Sequence, residues 1–215
     1  MMNNFITHGC NDISARLNVY IAQIPAEIQF REVYPELRQH EILSCSSDRV
    51  RREKYCAWKL LEYGIEHSLA KKLEDIEISK SENGKWISPC LEFSISHSHN
   101  VVCVAISSKP VGVDIELMKK KINTDRFCER ILTEGEKEEY LKQSNKKLDF
   151  LLTKWSQKES LFKMSGDKYF YPKEQDTQNG SVVSKIVIVA DEKYILSVAS
   201  DTPARLRLFE NIKLN

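Results

Sequence analysis

Between Leu91 and Leu117 the chain carries three strand-length segments separated by two turn signals, and few architectures accommodate that arrangement. Leu91–Ser96, Val101–Ser107 and Val111–Leu117 read as three short strands, the last two rich in β-branched residues. Ser98-His99-Asn100 and Ser108-Lys109-Pro110 supply the turns between them. The pattern is that of a β-meander.

The flanking sequence adds helices on both sides. Leu17–Ile24 is apolar and β-branched and reads as a strand, and Pro35 opens a short helix. A longer helix runs from Ser47 to His67, with Val50, Tyr55, Trp58, Leu61 and Ile65 at helical steps. Asp75–Ser79 alternates like an edge strand, and Asn83-Gly84 is a two-residue hairpin signal in which both positions need positive φ. Thr133-Glu134-Gly135-Glu136 is a capping-box pattern that starts a helix reaching Lys142. Lys146–Met164 is a long helix stopped by Ser165-Gly166. A polar surface loop over 167–180 follows, then a hairpin of Lys185–Ala190 and Tyr194–Ala199 across Asp191-Glu192, then a last strand from Ala204 to Phe209. A helix followed by a β-meander thus recurs roughly, which fits an α+β chain of two similar halves, 1–109 and 110–215.

Bulk properties exclude several classes. Hydrophobic residues make up 41% of 215, enough for a core and too many for a disordered chain. The net charge is +1, from 32 basic and 31 acidic residues, so nothing draws the whole surface to nucleic acid or membrane. The 6 cysteines include no C-x-x-C pair, so neither a zinc ribbon nor a redox motif is indicated. Cys103 sits in an apolar run, and buried thiols in a reducing compartment are the simpler reading. Met1–Cys10 lacks the pattern of a signal peptide, and the longest apolar run, Val101–Ile106, is too short to span a bilayer. The expectation is a cytoplasmic protein.

Four constellations carry chemistry. In Gly112-Val113-Asp114-Ile115-Glu116, strand alternation puts Asp114 and Glu116 on one face and Val113 and Ile115 on the core side. Adjacent carboxylates repel and are costly to bury without a cation, and magnesium favours a few carboxylates with water and phosphate. Two ordinary acids on a solvent-facing strand fit the same letters. In the stretch 155–163, helical spacing puts Trp155, Glu159 and Lys163 on one face. Glu159 would complete a three-carboxylate set and Lys163 would hold a phosphate; a surface Glu–Lys pair beside a core tryptophan fits equally. Phe93-Ser94-Ile95-Ser96-His97-Ser98 faces Phe93 and Ile95 inward and then turns, offering hydroxyls and an imidazole to phosphate or ribose oxygens, or simply making a polar turn. Arg49, Arg52, Lys54 and Lys59 on the long helix, with Lys85 after the hairpin, are candidate phosphate contacts or a solvated helix face. Lys119-Lys120-Lys121 reads as a solvated run.

Taken as an ordered set, N-G-K, F-S-I-S-H-S, G-V-D-I-E and W-x-x-K-E-x-x-x-K over residues 48–164 resemble the 4′-phosphopantetheinyl transferase superfamily, in its longer single-chain type that activates nonribosomal peptide and polyketide synthases. The resemblance implies two α+β halves in a pseudo-twofold relation, each a small antiparallel sheet packed with helices, with coenzyme A in the cleft between them. It implies magnesium, with manganese as the alternative, at Asp114, Glu116 and Glu159. Ser96 and His97 would contact the coenzyme phosphates, Lys85 the adenosine end, Lys163 the pyrophosphate, and Lys158 would be a further coenzyme contact. Lys59 stands where many relatives carry arginine, keeping the charge without the bidentate fork. Trp86 stands where proline often follows N-G-K.

By the same resemblance, a serine of an apo acyl or peptidyl carrier protein would attack the β-phosphorus of coenzyme A, releasing 3′,5′-ADP. Glu159, or a metal-bound water that it orients, is the candidate base, with Lys163 the second catalytic residue. The segment Ile122–Leu132, with Arg126, Phe127, Arg130 and Ile131, is the candidate docking surface for an acidic carrier. A monomer without nucleic-acid or membrane partners is expected. Two rival readings use the same residues: a metal-dependent nucleotide phosphohydrolase, which needs no carrier, and a non-catalytic coenzyme A- or carrier-binding module.

Overall fold

The computed structural model describes residues 16–119, 122–178, 182–201 and 205–214. Met1–Cys10, with its cysteine, and Lys120-Lys121 lie outside the described residues. The elements run β1 (Arg16–Gln23), α1 (Glu36–Leu43), α2 (Asp48–Leu69), β2 (Ser79–Lys80), β3 (Trp86–Ile87), β4 (Glu92–Ser98), β5 (Val101–Ser107), β6 (Val111–Leu117), α3 (Thr124–Ile131), α4 (Glu134–Leu141), α5 (Lys147–Ser165), β7 (Val182–Val189), β8 (Glu192–Ser200) and β9 (Arg205–Ile212). The chain is a mixed α+β fold of small sheets and helices.

Local chemistry sets the helix ends. Ser47 caps α2 by accepting from the Val50 N–H, and Thr133 and Glu136 form a reciprocal capping box at α4. Gly166 ends α5 at φ 72°, a conformation only glycine adopts without strain. Helix α3, which the sequence left unassigned, is capped by the Asn123 side chain accepting from the Arg126 N–H.

The first sheet has the order β4-β5-β1-β9 and the second β6-β8-β7. In each, a hairpin (β4–β5, β7–β8) pairs antiparallel, through its second strand, with the strand that precedes the long helix (β1, β6). The last strand breaks that correspondence. β9 returns to the first sheet and pairs parallel with β1, although the sequence grouped it with 110–215. The two sheets pack face to face. Leu17, Val19, Ile21, Val101, Cys103 and Ala105 meet Val111, Val113, Ile115, Leu196 and Val198. The alternate residues Tyr20, Ala22, Val102, Val104 and Ile106 face α2 with Trp58, Leu61 and Ile65. Strand β5 is therefore buried on both faces, which is why its sequence is a continuous apolar run.

Three local expectations are corrected. Asp75–Ser79 is a 3₁₀ turn at Leu73–Asp75 followed by a strand of only Ser79–Lys80. At the first hairpin only Gly84 has positive φ, because the turn is closed one residue earlier by Gly84 N–H to the Ser81 carbonyl. The β7–β8 turn is Ala190-Asp191, both at positive φ, which pairs Val189 with Glu192.

Candidate active site

Gly112 determines how closely helix α5 approaches β6. A Cβ there would stand 1.8 Å from the Ser160 carbonyl oxygen, so the helix backbone lies directly on the strand. Ser156 and Ser160 are fully buried on that face of the helix, and the Ser156 hydroxyl donates to the Asp114 carbonyl at 3.4 Å. This contact brings the helix face bearing Trp155, Glu159 and Lys163 over the strand face bearing Asp114 and Glu116.

Strand β4 lies along the other edge of β6 and meets it through side chains. Ser94, Ser96 and Ser98, two apart and buried, accept the N–H groups of Val113, Ile115 and Leu117 at 3.0, 3.3 and 3.1 Å. The hydroxyls replace a backbone ladder and join the two sheets. The same hydroxyls hold the carboxylates: Ser96 donates to Asp114 Oδ1 at 2.8 Å and Ser98 to Glu116 Oε2 at 2.9 Å. The expected turn at 96–98 is thus strand, and the chain reverses at His99, φ 55°.

Around this seam the charges converge. Lys163 Nζ is 2.8 Å from Asp114 Oδ1, 3.1 Å from Ser96 Oγ and 3.4 Å from Glu159 Oε2. The Glu116 carboxylate is held from its other side by the Trp155 indole N–H, 3.0 Å from Oε1. Burial, together with the nearby Asp114 and Glu116, pushes Glu159 up to about 6 against the pull of Lys163. Burial pulls Lys163 down, but Asp114 and Glu159 hold it above the ordinary lysine value. Desolvation lowers His97, Lys163 and Arg49 add to that, and Glu53, 3.8 Å from its Nδ1, opposes them. Glu53 is itself buried and pairs with Arg49 at 3.5 Å.

The seam opens into a cavity of about 360 Å³ lined by Asn83 to Trp86, Phe93 to Ile95, Phe162, Lys163 and 166–168. Lys85 lines it and donates from Nζ to the Lys163 carbonyl at 2.9 Å. The fold therefore brings together Lys85, Ser96, Asp114, Glu116, Glu159 and Lys163, with His97 beside them. It does not bring in two others. Lys59 pairs with Glu62 on α2. Lys158 is fully buried, 2.8 Å from Glu136 Oε2 and 2.9 Å from the Pro172 carbonyl, so the expectation that it contacts a coenzyme does not match its placement. Among the weaker candidates, Arg52 donates to the carbonyls of Pro25 and Ala26 and ties down a loop.

Gly112, Ser156, Ser160, Glu53 and the Trp155 N–H have no role in the sequence reading, and Ser94 and Ser98 enter it only as hydroxyls of a polar turn, not as the seam between two strands. The alternation Ser94-x-Ser96-x-Ser98 and the i,i+4 pair Ser156/Ser160 were the available signals; for Glu53 there was none.

Whether the residues suit a divalent cation turns on Asp114. Its Oδ2 is buried and has no hydrogen-bond partner. An orphaned carboxylate oxygen among three mutually repelling carboxylates is a hard, all-oxygen donor set, which fits magnesium. Among the described residues no three acidic, histidine or cysteine groups are already gathered into a metal cage; the Lys163 ammonium stands between Asp114 and Glu159.

Residues 110–200 match the family model described as the 4′-phosphopantetheinyl transferase superfamily. The chain is 42% identical over 84 residues to the holo-[acyl-carrier-protein] synthase of Acholeplasma laidlawii (strain PG-8A), covering 36% of this chain and 71% of that protein. It is 40% identical over 96 residues to the 4′-phosphopantetheinyl transferase ffp of Bacillus subtilis, and 36% identical over 96 residues to the 4′-phosphopantetheinyl transferase Sfp of Bacillus subtilis (strain 168). Each Bacillus match covers 43% of this chain and spans only 42% of the relative's length.

Proposed function

This chain belongs to the 4′-phosphopantetheinyl transferase superfamily, and on that premise we propose that it transfers phosphopantetheine from coenzyme A to a serine of an apo acyl or peptidyl carrier protein, releasing 3′,5′-ADP. The observation that carries the proposal is the seam where Asp114, Glu116, Glu159 and Lys163 meet Ser96 beside the cavity walled by Lys85. An enzyme acting on a diphosphate needs acids for a divalent ion and cations for the phosphate oxygens in one place, and these residues are both.

In this reading coenzyme A lies in the cavity, its adenosine end toward Lys85 and its phosphates toward Ser96 and His97. Asp114, Glu116 and Glu159 hold magnesium, or manganese. When bound, the ion would offset the negative charge that builds on the pyrophosphate oxygens. Lys163 stands beside the leaving phosphate and offsets the same charge. Glu159, beside Lys163 on the seam, takes the proton of the carrier serine. The serine oxygen then bonds to the β-phosphorus as the bond to the departing 3′,5′-ADP breaks.

The carrier docks on α3, whose Arg126 and Arg130 stand beside Phe127. Ile131 is withdrawn from that surface because it is fully buried. The halves 1–109 and 110–215 we read as pseudo-twofold related, on the matching strand orders, with β9 as the exception. We place the protein in the cytoplasm as a monomer. No helix among the described residues is long and apolar enough to cross a membrane. Cys45, Cys56, Cys103 and Cys128 carry thiols, and burial pushes Cys56 up to about 11.

The test is to incubate the protein with coenzyme A, magnesium and a panel of apo carrier proteins and to read intact masses. The proposal expects a phosphopantetheine adduct on at least one carrier, absent when its acceptor serine is alanine. Coenzyme A consumed with no carrier modified would instead support a phosphohydrolase.

A further inference from the structure

Lys158 carries a charge into a place with no solvent, and both of its partners come from other segments. Its ammonium meets Glu136 of α4 and the carbonyl of Pro172. Glu136 also accepts from the Thr133 N–H at 3.0 Å and from the Thr177 hydroxyl at 3.1 Å, with Lys154 3.6 Å away. Two charges removed from water are tolerated only while paired, and losing one strands the other. Lys158 is thus committed and has no free geometry with which to reach a phosphate.

Pro172 and Thr177 belong to the segment 167–178, whose other end borders the cavity. Asp167 and Lys168 line it. Phe170 then packs on Phe162 and Trp155, with ring centroids 4.9 and 5.4 Å apart. The segment is a strap with one end on the cleft and the other pinned to the Lys158–Glu136 pair. Between them lies Trp155, whose N–H holds Glu116.

We infer that Lys158 is a positioning residue: paired with Glu136, it fixes the 167–178 strap, seats Phe170 against Trp155 and so holds Glu116 in register with the cleft. What the strap serves rests on the transferase reading above; that the pair pins it does not.

The experiment compares the parent protein with Lys158→Met, Glu136→Gln and the double variant Glu136→Leu/Lys158→Met. The double variant exchanges the ion pair for an apolar one, a replacement that is often neutral. Three readouts are taken: hydrogen exchange of peptides covering 167–178, coenzyme A affinity by calorimetry, and kcat for transfer. Lys158→Met is expected to speed exchange in the strap and to lower kcat by about ten- to a hundredfold, the usual range for a supporting partner. Because Asp167 and Lys168 line the cavity, coenzyme A affinity should weaken as well, and the double variant should recover protection, rate and affinity together. Should Lys158→Met fail to fold, Glu136→Gln, which keeps a polar acceptor, is expected to show the same pattern more mildly. The inference is overturned if loss of Lys158 weakens coenzyme A binding and the double variant does not restore it, or if the strap's exchange is unchanged. If the parent modifies no carrier, the transferase reading fails, and the exchange data alone still decide whether the pair pins the strap.

Discussion

Trp155 and Glu116 act as one unit. The indole N–H donates to Oε1 at 3.0 Å while the Ser98 hydroxyl holds Oε2 at 2.9 Å. The carboxylate plane is therefore set before any ligand arrives. Trp155→Phe keeps an aromatic ring against Phe127 and Phe170 but removes that N–H. Transfer should fall by about ten- to a hundredfold, with a higher magnesium requirement and little change in Tm. A magnesium dependence identical to the parent's would show that the indole does not matter to the carboxylate.

Glu159 separates the chemistry from the scaffold. It is partly exposed and its bonds are to Lys163, so Glu159→Gln should abolish transfer at saturating magnesium and leave the melting temperature almost unmoved. Steady-state rates and a thermal melt measured on the same sample check both halves. Normal turnover in this variant means that another group takes the serine proton.

Gly112→Ala tests the contact that brings helix and strand together. A methyl group 1.8 Å from the Ser160 carbonyl has nowhere to go, and backbone cannot swing aside as a long side chain does. The expected cost is about 1–3 kcal/mol or more, seen as a lower urea midpoint. Transfer should be lost along with it, because Glu159 moves with the helix. A variant with parental stability would mean the helix does not lie on β6 as described.

How much of this was legible in the sequence depends on what each residue's signal was. Strand alternation was enough to put Asp114 and Glu116 on one face with Val113 and Ile115 behind them, and helical spacing was enough to align Trp155, Glu159 and Lys163. The capping box at Thr133 and the stop at Gly166 stand where local chemistry puts them. The serine seam was harder to read, because Ser94, Ser96 and Ser98 look like a polar turn until β6 is laid beside them; their N–H partners are nineteen residues away and their carboxylate partners eighteen. Helical spacing sets Lys163 on the face of Glu159 and Lys158 off it, but gives Lys158 no partner. Only the packing of α4 against α5 shows that Lys158 is buried on Glu136 and that Lys163 faces Asp114. The parallel pairing of β9 with β1 is a long-range event with no local mark.

The pH dependence of stability follows from Glu136. Burial alone would raise its carboxyl, but the bonds from Lys158 and the Thr133 N–H outweigh that and hold it below its ordinary 4.5. A carboxyl depressed in the folded state stabilises the protein fully above its unfolded value. That contribution is lost as pH falls through the folded value. Urea unfolding from pH 7 downward should therefore show stability declining below pH 4.5, and declining less in Glu136→Gln. Parallel curves for parent and variant would remove Glu136 from the acid response.

The most direct test is crystallographic: soak or co-crystallise the protein with coenzyme A and manganese, and locate the ion by its anomalous scattering. The account predicts a single strong peak bounded by Asp114, Glu116 and Glu159, touching the pyrophosphate, with the adenosine end in the cavity beside Lys85. A peak remote from those three carboxylates, or coenzyme A bound outside that cavity, contradicts it.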